Sequence, residues 1–180
     1  MIEIMKLSDV KTSDLDLVQH EIEEIFFLST PIKSFESIEK KQAFFNRWCG
    51  IYQTHYKEEF FLAMKEGKVL GYLSGCIDSE KATALINVKS YSVFSDYFLE
   101  FPAHLHINFH PDSRGLGLGS LLVNHYKDHL KSHNVRGVHI ITSIEAQNVG
   151  FYARLGFTET RTRTYNDMPL YFMGCKTVSE

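Results

Sequence analysis

Several features that commonly identify a protein class are scarce or missing in this chain. Its three cysteines, Cys49, Cys76 and Cys175, are odd in number and too far apart for a disulfide framework or a CxxC metal motif. No run of 18 apolar residues occurs, and the N-terminus lacks the basic region and long apolar stretch of a signal peptide. No run of five basic residues occurs either, and the formal net charge is −3. We therefore expect a cytoplasmic protein that binds neither membranes nor nucleic acids.

What is present suits one folded unit. The chain has 180 residues, of which 44% are hydrophobic, so we predict a single domain over residues 1–180 with an ordinary core. Apolar periodicity and turn signals predict the order of its elements: a strand at 2–7, a helix capped by Ser13, a helix of about twenty residues from Ile38, a hairpin of strands 59–64 and 69–76, a strand at 103–109, a helix at 117–133, a strand at 137–142, a helix at 146–155, and strands at 157–163 and 168–175.

Two segments stand out from this order. The second helix carries a stripe of apolar, mostly aromatic side chains, which we interpret as buried core: Ile38, Phe44, Phe45, Trp48, Ile51 and Tyr52. Residues 78–101 lose the periodicity but are rich in aromatics, so a folded insertion or lid is expected there rather than disorder. Antiparallel hairpins followed by β-α-β-α-β predict a mixed α/β sandwich.

The most informative stretch is residues 103–119, AHLHINFHPDSRGLGLG, a strand and a turn that lead directly into a helix. A helix N-terminus offers unpaired N–H groups and a partial positive charge, and it favours an anion. Gly115, Gly117 and Gly119 would let a diphosphate approach those groups. The spacing fits neither a P-loop, which needs GxxxxGK[ST], nor the dinucleotide fingerprint GxGxxG.

Arg114, Gly117 and Gly119 form R-x-x-G-x-G, which resembles the acetyl-CoA pyrophosphate loop of the GNAT N-acetyltransferase superfamily. NVGFYARLGF at 148–157 resembles the second signature of the superfamily, a short helix ending in F-Y-x-x-x-G-F. The resemblance implies the GNAT fold, a mixed, mostly antiparallel twisted sheet flanked by helices on both faces, and acetyl-CoA as co-substrate. It also implies that part of the stripe on the second helix walls the acceptor cleft.

A narrower resemblance links residues 90–157 to the acetyltransferase-like domains related to the C-terminal part of O-GlcNAcases. The shared residues are Ser90, Tyr91, 102–108, the glycine-rich stretch, 137–139, Phe151 and Tyr152.

The superfamily resemblance also implies which residues bind the co-substrate. Backbone groups of strand 103–109 would meet the pantetheine arm as a strand-like addition, and the loop would hold the diphosphate. The predicted binding residues are Ile107, Asn108, Phe109, Arg114, Gly115, Leu116, Gly117, Leu118, Gly119, Ser120, Asn148 and Phe151. One departure is that Glu145 stands where the superfamily usually has an asparagine, seven residues before the tyrosine; Asn148 stands four before it.

Two residues are predicted to take part in the chemistry. Tyr152 matches the superfamily tyrosine near the coenzyme A sulfur, where a phenol would stabilise the leaving thiolate by hydrogen bonding. His106 is the first choice for general base, because an imidazole with a pKa near 6.5 suits an amine at neutral pH. Glu145 and Glu100 are alternatives, and His104 and His106 could instead be hydrogen-bonded residues of a cleft wall.

Other chemistry-bearing residues are interpreted as structural. His125, His129 and His133 lie at i, i+4 and i+8 of one helix, but no HExxH glutamate accompanies them, so half-buried packing is preferred to a metal site. Cys49 falls in an apolar helix stripe and should be inert core. No metal site is predicted.

Together these observations predict an acetyl-CoA-dependent N-acetyltransferase that acts on a small-molecule or peptide amine by direct transfer in a ternary complex. The alternative from another class is a catalytically silent acyl-CoA-binding or protein-interaction module with the same fold. A homodimer is left open, and the acceptor is not specified by any motif.

Overall fold

The computed structural model of the protein describes residues 1–86 and 88–178. The helices are α1 (Leu15–Ser29), α2 (Ile38–Phe45), α3 (Ile51–His55), α4 (Ser79–Ile86), α5 (Lys89–Ser92), α6 (Leu118–Ser132) and α7 (Val149–Arg154). The strands are β1 (Glu3–Lys6), β2 (Phe60–Lys65), β3 (Lys68–Cys76), β4 (Ala103–Phe109), β5 (Gly137–Thr142), β6 (Glu159–Tyr165) and β7 (Met168–Lys176).

The strands form a seven-stranded sheet in the order β1-β2-β3-β4-β5-β7-β6, flanked by helices. β4 and β5 pair in parallel, whereas β1–β2, β2–β3, β5–β7 and β6–β7 pair antiparallel. The predicted fold class, a mixed and mostly antiparallel α/β fold, is confirmed. No helix in the described part of the chain combines the length and apolar character that a membrane crossing requires.

The chain folds as two compact units. Among the described residues, the first comprises 1–75 and 106–123, and the second comprises 76–86, 88–105 and 124–178. The first unit therefore contains α1 to α3, the first hairpin, the second half of β4 and the start of α6. The second contains the 78–101 segment, β5 to β7 and α7.

In the first unit, the hairpin of β2 and β3 confirms the prediction from Lys65-Glu66-Gly67-Lys68. Glu66 and Gly67 have φ values of 52° and 79°, and Lys65 pairs with Lys68. Two positive φ values in a two-residue loop characterise a type I′ turn, whose twist matches that of the flanking strands.

The predicted twenty-residue helix is divided. α2 and α3 are separated by a π-helical segment, Asn46–Gly50, and such segments occur often at functional sites. A Cβ at Gly50 would lie 2.7 Å from the side-chain oxygen of Asn46, so a larger residue there would require the Asn46 side chain to move. Ile38 was expected in the buried stripe, but its side chain is 81% exposed because it lies in the first turn of α2.

The first helix also begins differently from the prediction. Asp14, not Ser13, is the N-cap residue of α1, and the Ser13 hydroxyl donates to the Asp14 carboxylate instead of capping the helix. Boundary shifts of this size are ordinary for helix ends.

The second unit is organised around the buried rings of Phe94, Phe101 and Phe172. A Cβ at Gly137 or Gly174 would lie 2.8 Å or 2.9 Å from the ring of Phe101, so both glycines make room for it. The described residues of the 78–101 segment, 78–86 and 88–101, thus contribute to the core, as the aromatic content predicted. The role of the segment remains a prediction.

Candidate functional site

The glycine loop, defined here as residues 115–120, leads into the fifteen-residue helix α6. Gly115 and Gly117 have φ values of 78° and 76°, in the left-handed region that favours glycine. A Cβ built at either residue would meet no atom within 4 Å, so the backbone here lies next to open space. The amide of Leu121 makes a helical bond, to the Gly117 carbonyl at 3.1 Å. The amides just before it belong to the first turn, where helices present unpaired N–H groups.

Arg114, directly before the loop, is turned back toward the protein. Its Nη2 atom lies 3.4 Å from the carbonyl oxygen of Phe109 and 3.5 Å from the hydroxyl of Ser29. Both contacts are long for hydrogen bonds. Ser29 ends α1, and a cation is favoured near a helix C-terminus. The guanidinium therefore joins the ends of β4 and α1, and its predicted contact with a diphosphate stays a prediction.

A cavity of about 230 Å³ lies in the same unit, next to β4. We call it the Trp48 cavity. It is lined by Phe26, Ser29, Thr30, Pro31, Phe44, Trp48, His106 and Asn108. The first four of these residues belong to α1 and the segment that follows it. Phe44 lies on α2, and Trp48 lies in the π-helical segment. β4 supplies the polar side chains of His106 and Asn108. The aromatic stripe of the second helix therefore does line a cavity.

His106 lies against two aromatic rings of the helical segments. Its ring centroid is 6.2 Å from that of Trp48 and 5.8 Å from that of Tyr52, and both contacts are edge to face. Burial lowers the pKa of His106 from 6.5 to about 4, because the charged imidazolium loses hydration among these rings. The sequence-based expectation of a pKa near 6.5 is therefore wrong, and His106 is neutral at pH 7.

Asn108, two residues along the strand, belongs to a chain of polar groups that leads into the core. Its side-chain amide donates to the hydroxyl of Tyr72 at 2.9 Å. Tyr72 is hydrogen-bonded to Cys49, and the Gln53 amide donates to the Cys49 sulfur at 3.6 Å. Burial raises the pKa of Tyr72 well above 10 and that of Cys49 to about 12. Both groups stay protonated, which confirms Cys49 as unreactive core.

The same arrangement contains a residue that sequence reasoning missed. A Cβ at Gly71 in β3 would lie 2.0 Å from the ring of Phe109 and 2.8 Å from the carbonyl oxygen of Asn108. Gly71 thus lets the end of β4 approach β3. A glycine inside a strand pattern is a signal for such an approach, and it could have been read from the sequence.

In the second unit, Tyr152 lies on α7 with its side chain only 3% exposed. Its ring packs edge to face against Phe151 and Phe157, with centroid distances of 5.0 Å and 5.3 Å. Burial raises the pKa of Tyr152 well above 10. The phenol therefore keeps its proton over the physiological range and can act as a hydrogen-bond donor.

The other predicted residues of the second unit are more exposed. Asn148 is exposed and precedes α7, and its side-chain oxygen accepts a 3.3 Å hydrogen bond from Thr142. Glu145 is exposed, and Glu100 lies 3.8 Å from the Lys176 ammonium. Neither carboxylate lies in a buried setting of the kind that tunes a general base.

His104 has surroundings unlike those of His106, although the alternative interpretation placed both histidines in one cleft wall. Its side chain is buried, and its Nδ1 atom lies 2.8 Å from the Ser79 hydroxyl and 3.1 Å from the Cys76 sulfur. The Tyr91 ring packs against it at 5.5 Å. His104 is therefore a hydrogen-bonded core residue.

The three histidines of α6 differ in exposure. His129 is half-buried and stacks on Tyr126 at 6.2 Å, while His125 and His133 are exposed. The predicted half-buried packing thus holds for His129 only, because the other two lie outside the apolar face. Within residues 1–86 and 88–178, no group of three or more His, Cys, Asp or Glu side chains is placed to hold a metal ion.

Comparison with known proteins identifies the family. The acetyltransferase (GNAT) family profile matches residues 19–157, which is more than half of the chain. The chain therefore belongs to the GNAT family of acetyltransferases and is a transferase. No curated protein sequence matches it significantly.

Solved structures show the same fold at low identity. SsHAT superposes with a TM-score of 0.74 at 19% identity over 99% of both chains. An N-acetyltransferase from Staphylococcus aureus Mu50 gives 0.60 at 16% identity over 99% of both. The PaiA N-acetyltransferase from Thermoplasma acidophilum, solved with coenzyme A, gives 0.60 at 12% identity over 98% of this chain and 99% of that one. The predicted superfamily is confirmed; the narrower likeness to O-GlcNAcase-related domains is not.

Proposed function

We propose that the protein is an acetyl-CoA-dependent N-acetyltransferase that acetylates a primary amine of a small molecule or peptide by direct transfer in a ternary complex. The family match supports acetyl transfer. The S. aureus and T. acidophilum proteins of like fold are named N-acetyltransferases, and the latter was solved with coenzyme A. The narrower O-GlcNAcase-related subtype, the cytoplasmic location and a homodimer stay predictions.

The glycine loop is the observation that carries the proposal. Gly115 and Gly117 hold a left-handed backbone beside open space, where side chains would otherwise keep a diphosphate from the amides of the α6 N-terminus. The loop residues fit this group, and we assign the backbone of residues 107–109, beyond the β4 residues whose pairing with β5 is defined, to the pantetheine arm. The bound thioester would supply an activated acyl carbon.

Proton transfer from the amine is the task we assign to His106. With a pKa of about 4, His106 is too weak a base to take a proton from an ammonium ion with a pKa near ~10. The amine must therefore react as its free base. Its nitrogen becomes acidic as it bonds to the acyl carbon, and neutral His106 can then accept a hydrogen bond or the proton, directly or through water.

Tyr152 is assigned to the departing sulfur as a hydrogen-bond donor. Its raised pKa makes complete proton transfer to a thiolate more unfavourable than for an exposed phenol. The role therefore consists of stabilising negative charge rather than of releasing a free proton. This assignment comes from the family motif, and burial is compatible with it.

The experiment is a screen of amines with acetyl-CoA, with free thiol as the readout and calorimetry to measure acetyl-CoA binding. Amine-dependent thiol release supports the proposal. Acetyl-CoA binding without release for any amine would favour the silent acyl-CoA-binding module. Failure to bind acetyl-CoA at all would refute both the acetyltransferase and the acyl-CoA-binding module, and would leave the protein-interaction module.

A further inference from the structure

We infer that the Trp48 cavity takes a small amine with an apolar, ring-sized body and no second positive charge, which would be the acceptor. The inference rests on the proposed function. Three properties of the cavity carry it: its aromatic wall, its polar side chains and its lack of negative charge.

The aromatic wall consists of Phe26, Phe44 and Trp48, with Pro31 beside them. Phe26 is 6% exposed and fixed by ring contacts, including one to Phe44 with centroids 5.5 Å apart. Phe44 and Trp48 are half-buried and leave part of their surface to the cavity. Apolar and aromatic linings of this kind bind flat or aliphatic bodies.

The polar lining residues come in equal number from the end of α1, with Ser29 and Thr30, and from β4. His106 and Asn108 alternate along the strand, and both line the cavity. Asn108 uses its amide donor on Tyr72, which leaves its carbonyl oxygen as an acceptor for an amine N–H. Neutral His106 can likewise accept a hydrogen bond. The cavity thus combines acceptors for one amine head with an apolar wall for the rest of the molecule.

Charge argues against a polycationic ligand. Among the residues that the structure describes, no Asp or Glu lines the cavity. The neighbouring hollow between α1 and α2, lined in part by Phe35, includes Lys33 and Lys41 and again no carboxylate. A second ammonium group in the cavity would therefore lose hydration without gaining a negatively charged partner. The two lysines of the neighbouring hollow would also repel it.

Size sets a limit on the ligand. Cavities that enclose drug-sized molecules measure roughly 300–1,000 Å³, whereas the Trp48 cavity measures about 230 Å³. A single ring with a short aminoalkyl chain is the size class that this volume favours.

The sequence provides a direct probe, because Trp48 is the single tryptophan of the chain. With excitation at a wavelength that tyrosine does not absorb, tryptophan emission reports occupancy of this cavity. The experiment titrates 2-phenylethylamine and spermidine against Trp48 emission in the full chain and measures kcat/KM for acetylation of each. We expect saturable emission changes with 2-phenylethylamine and a kcat/KM at least tenfold higher than for spermidine.

Three variants sharpen the test. Phe44→Ala should weaken 2-phenylethylamine binding by about tenfold or more. Tyr165→Ala is the matched control, because Tyr165 is a half-buried ring of β6 that does not line the Trp48 cavity, whereas Phe35 packs against Phe44 itself. Asn108→Asp places a carboxylate in the cavity at unchanged size and should shift the preference toward spermidine by tenfold or more.

The outcomes separate this inference from the proposed function. Acetylation that favours spermidine would overturn the inference while acetyl transfer stands. Saturable binding of 2-phenylethylamine at Trp48 with no acetylation of any amine would support the ligand class and refute the proposed function. No emission change with 2-phenylethylamine, or equal losses in the Tyr165→Ala and Phe44→Ala variants, would overturn the inference.

Discussion

The rings of Trp48 and His106 meet edge to face, with centroids 6.2 Å apart and an interplanar angle of 88°. Trp48 lies in a π-helical segment and His106 on β4, so their contact joins a helix irregularity to the strand that carries the polar side chains of the cavity. Burial against such rings lowers the pKa of His106 to about 4. This shift has consequences for both stability and catalysis.

Replacing His106 should change the acid stability of the protein. The pKa of His106 is about 4 in the folded state and near 6.5 when unfolded, so the unfolded state binds more protons between these values. The contribution of His106 to the free energy of unfolding is therefore fully present above pH 6.5 and is lost as the pH falls toward 4. The loss reaches at most about 3 kcal/mol.

Urea unfolding of wild type and His106→Gln at several pH values measures this effect. Between pH 7 and 4, the wild type should lose more free energy of unfolding than His106→Gln. His20→Gln, at an exposed position of α1, is the control and should follow the wild type. Parallel curves for wild type and His106→Gln would contradict the lowered pKa.

The pH dependence of kcat/KM should follow the amine rather than His106. Because the pKa of His106 is about 4, its titration lies below the range from pH 5 to 9. An acid limb in that range should report deprotonation of the acceptor. Amines of different pKa should therefore shift the limb by matching amounts, whereas a limb near pH 6.5 for every amine would indicate another titrating group of the protein.

The glycine loop predicts a specific loss of acetyl-CoA binding. Gly117→Ala should lower the affinity at least tenfold, because a Cβ enters the space in which a diphosphate would approach the backbone. Gly67→Ala is the matched control, because Gly67 has a φ of 79° against 76° for Gly117 and equally open surroundings, but lies in the first hairpin turn. Calorimetry that finds similar affinities for both folded variants would remove the loop from the binding site.

Tyr152→Phe tests the assignment of the phenol. If the phenol stabilises the leaving sulfur as a hydrogen-bond donor, its removal should lower kcat by roughly ten- to a hundredfold and change the acetyl-CoA affinity little. Because the pKa of Tyr152 is raised well above 10, wild-type kcat should show no loss from this group up to pH 9. Full activity of the folded variant would exclude Tyr152 from the chemistry.

Gly71→Ala tests the contact that shapes the end of β4. The added Cβ would collide with the Phe109 ring and approach the Asn108 carbonyl oxygen, and overpacking of this kind costs about 1–3 kcal/mol. Adding Phe109→Ala should restore part of the lost stability, because it removes the closer of the two contacts. Thermal unfolding of the two single variants and the double variant measures this coupling; strictly additive losses would argue against the clash.

Local chemistry explains what could be predicted from the sequence. The Glu66-Gly67 turn, the glycine loop and the Gly156-Phe157 end of the second signature depend on backbone conformations that a few adjacent residues specify, so their positions were predictable. The seven strands and the α/β class were likewise predictable from periodicity and turn residues. Gly71 is a further local signal, because a glycine inside a strand pattern indicates the close approach of another strand.

The properties of the site were decided by tertiary packing. Residue spacing predicts that His104 and His106 share a strand face, but the neighbours come from distant segments: Ser79 and Cys76 meet His104, whereas Trp48 and Tyr52 meet His106. A pKa depends on the hydration and charges around a group, and these are set by residues far away in sequence. The sequence alone thus determined the family fold and the loop conformation, while the Trp48 cavity and the lowered pKa of His106 came from packing between segments that no local pattern relates.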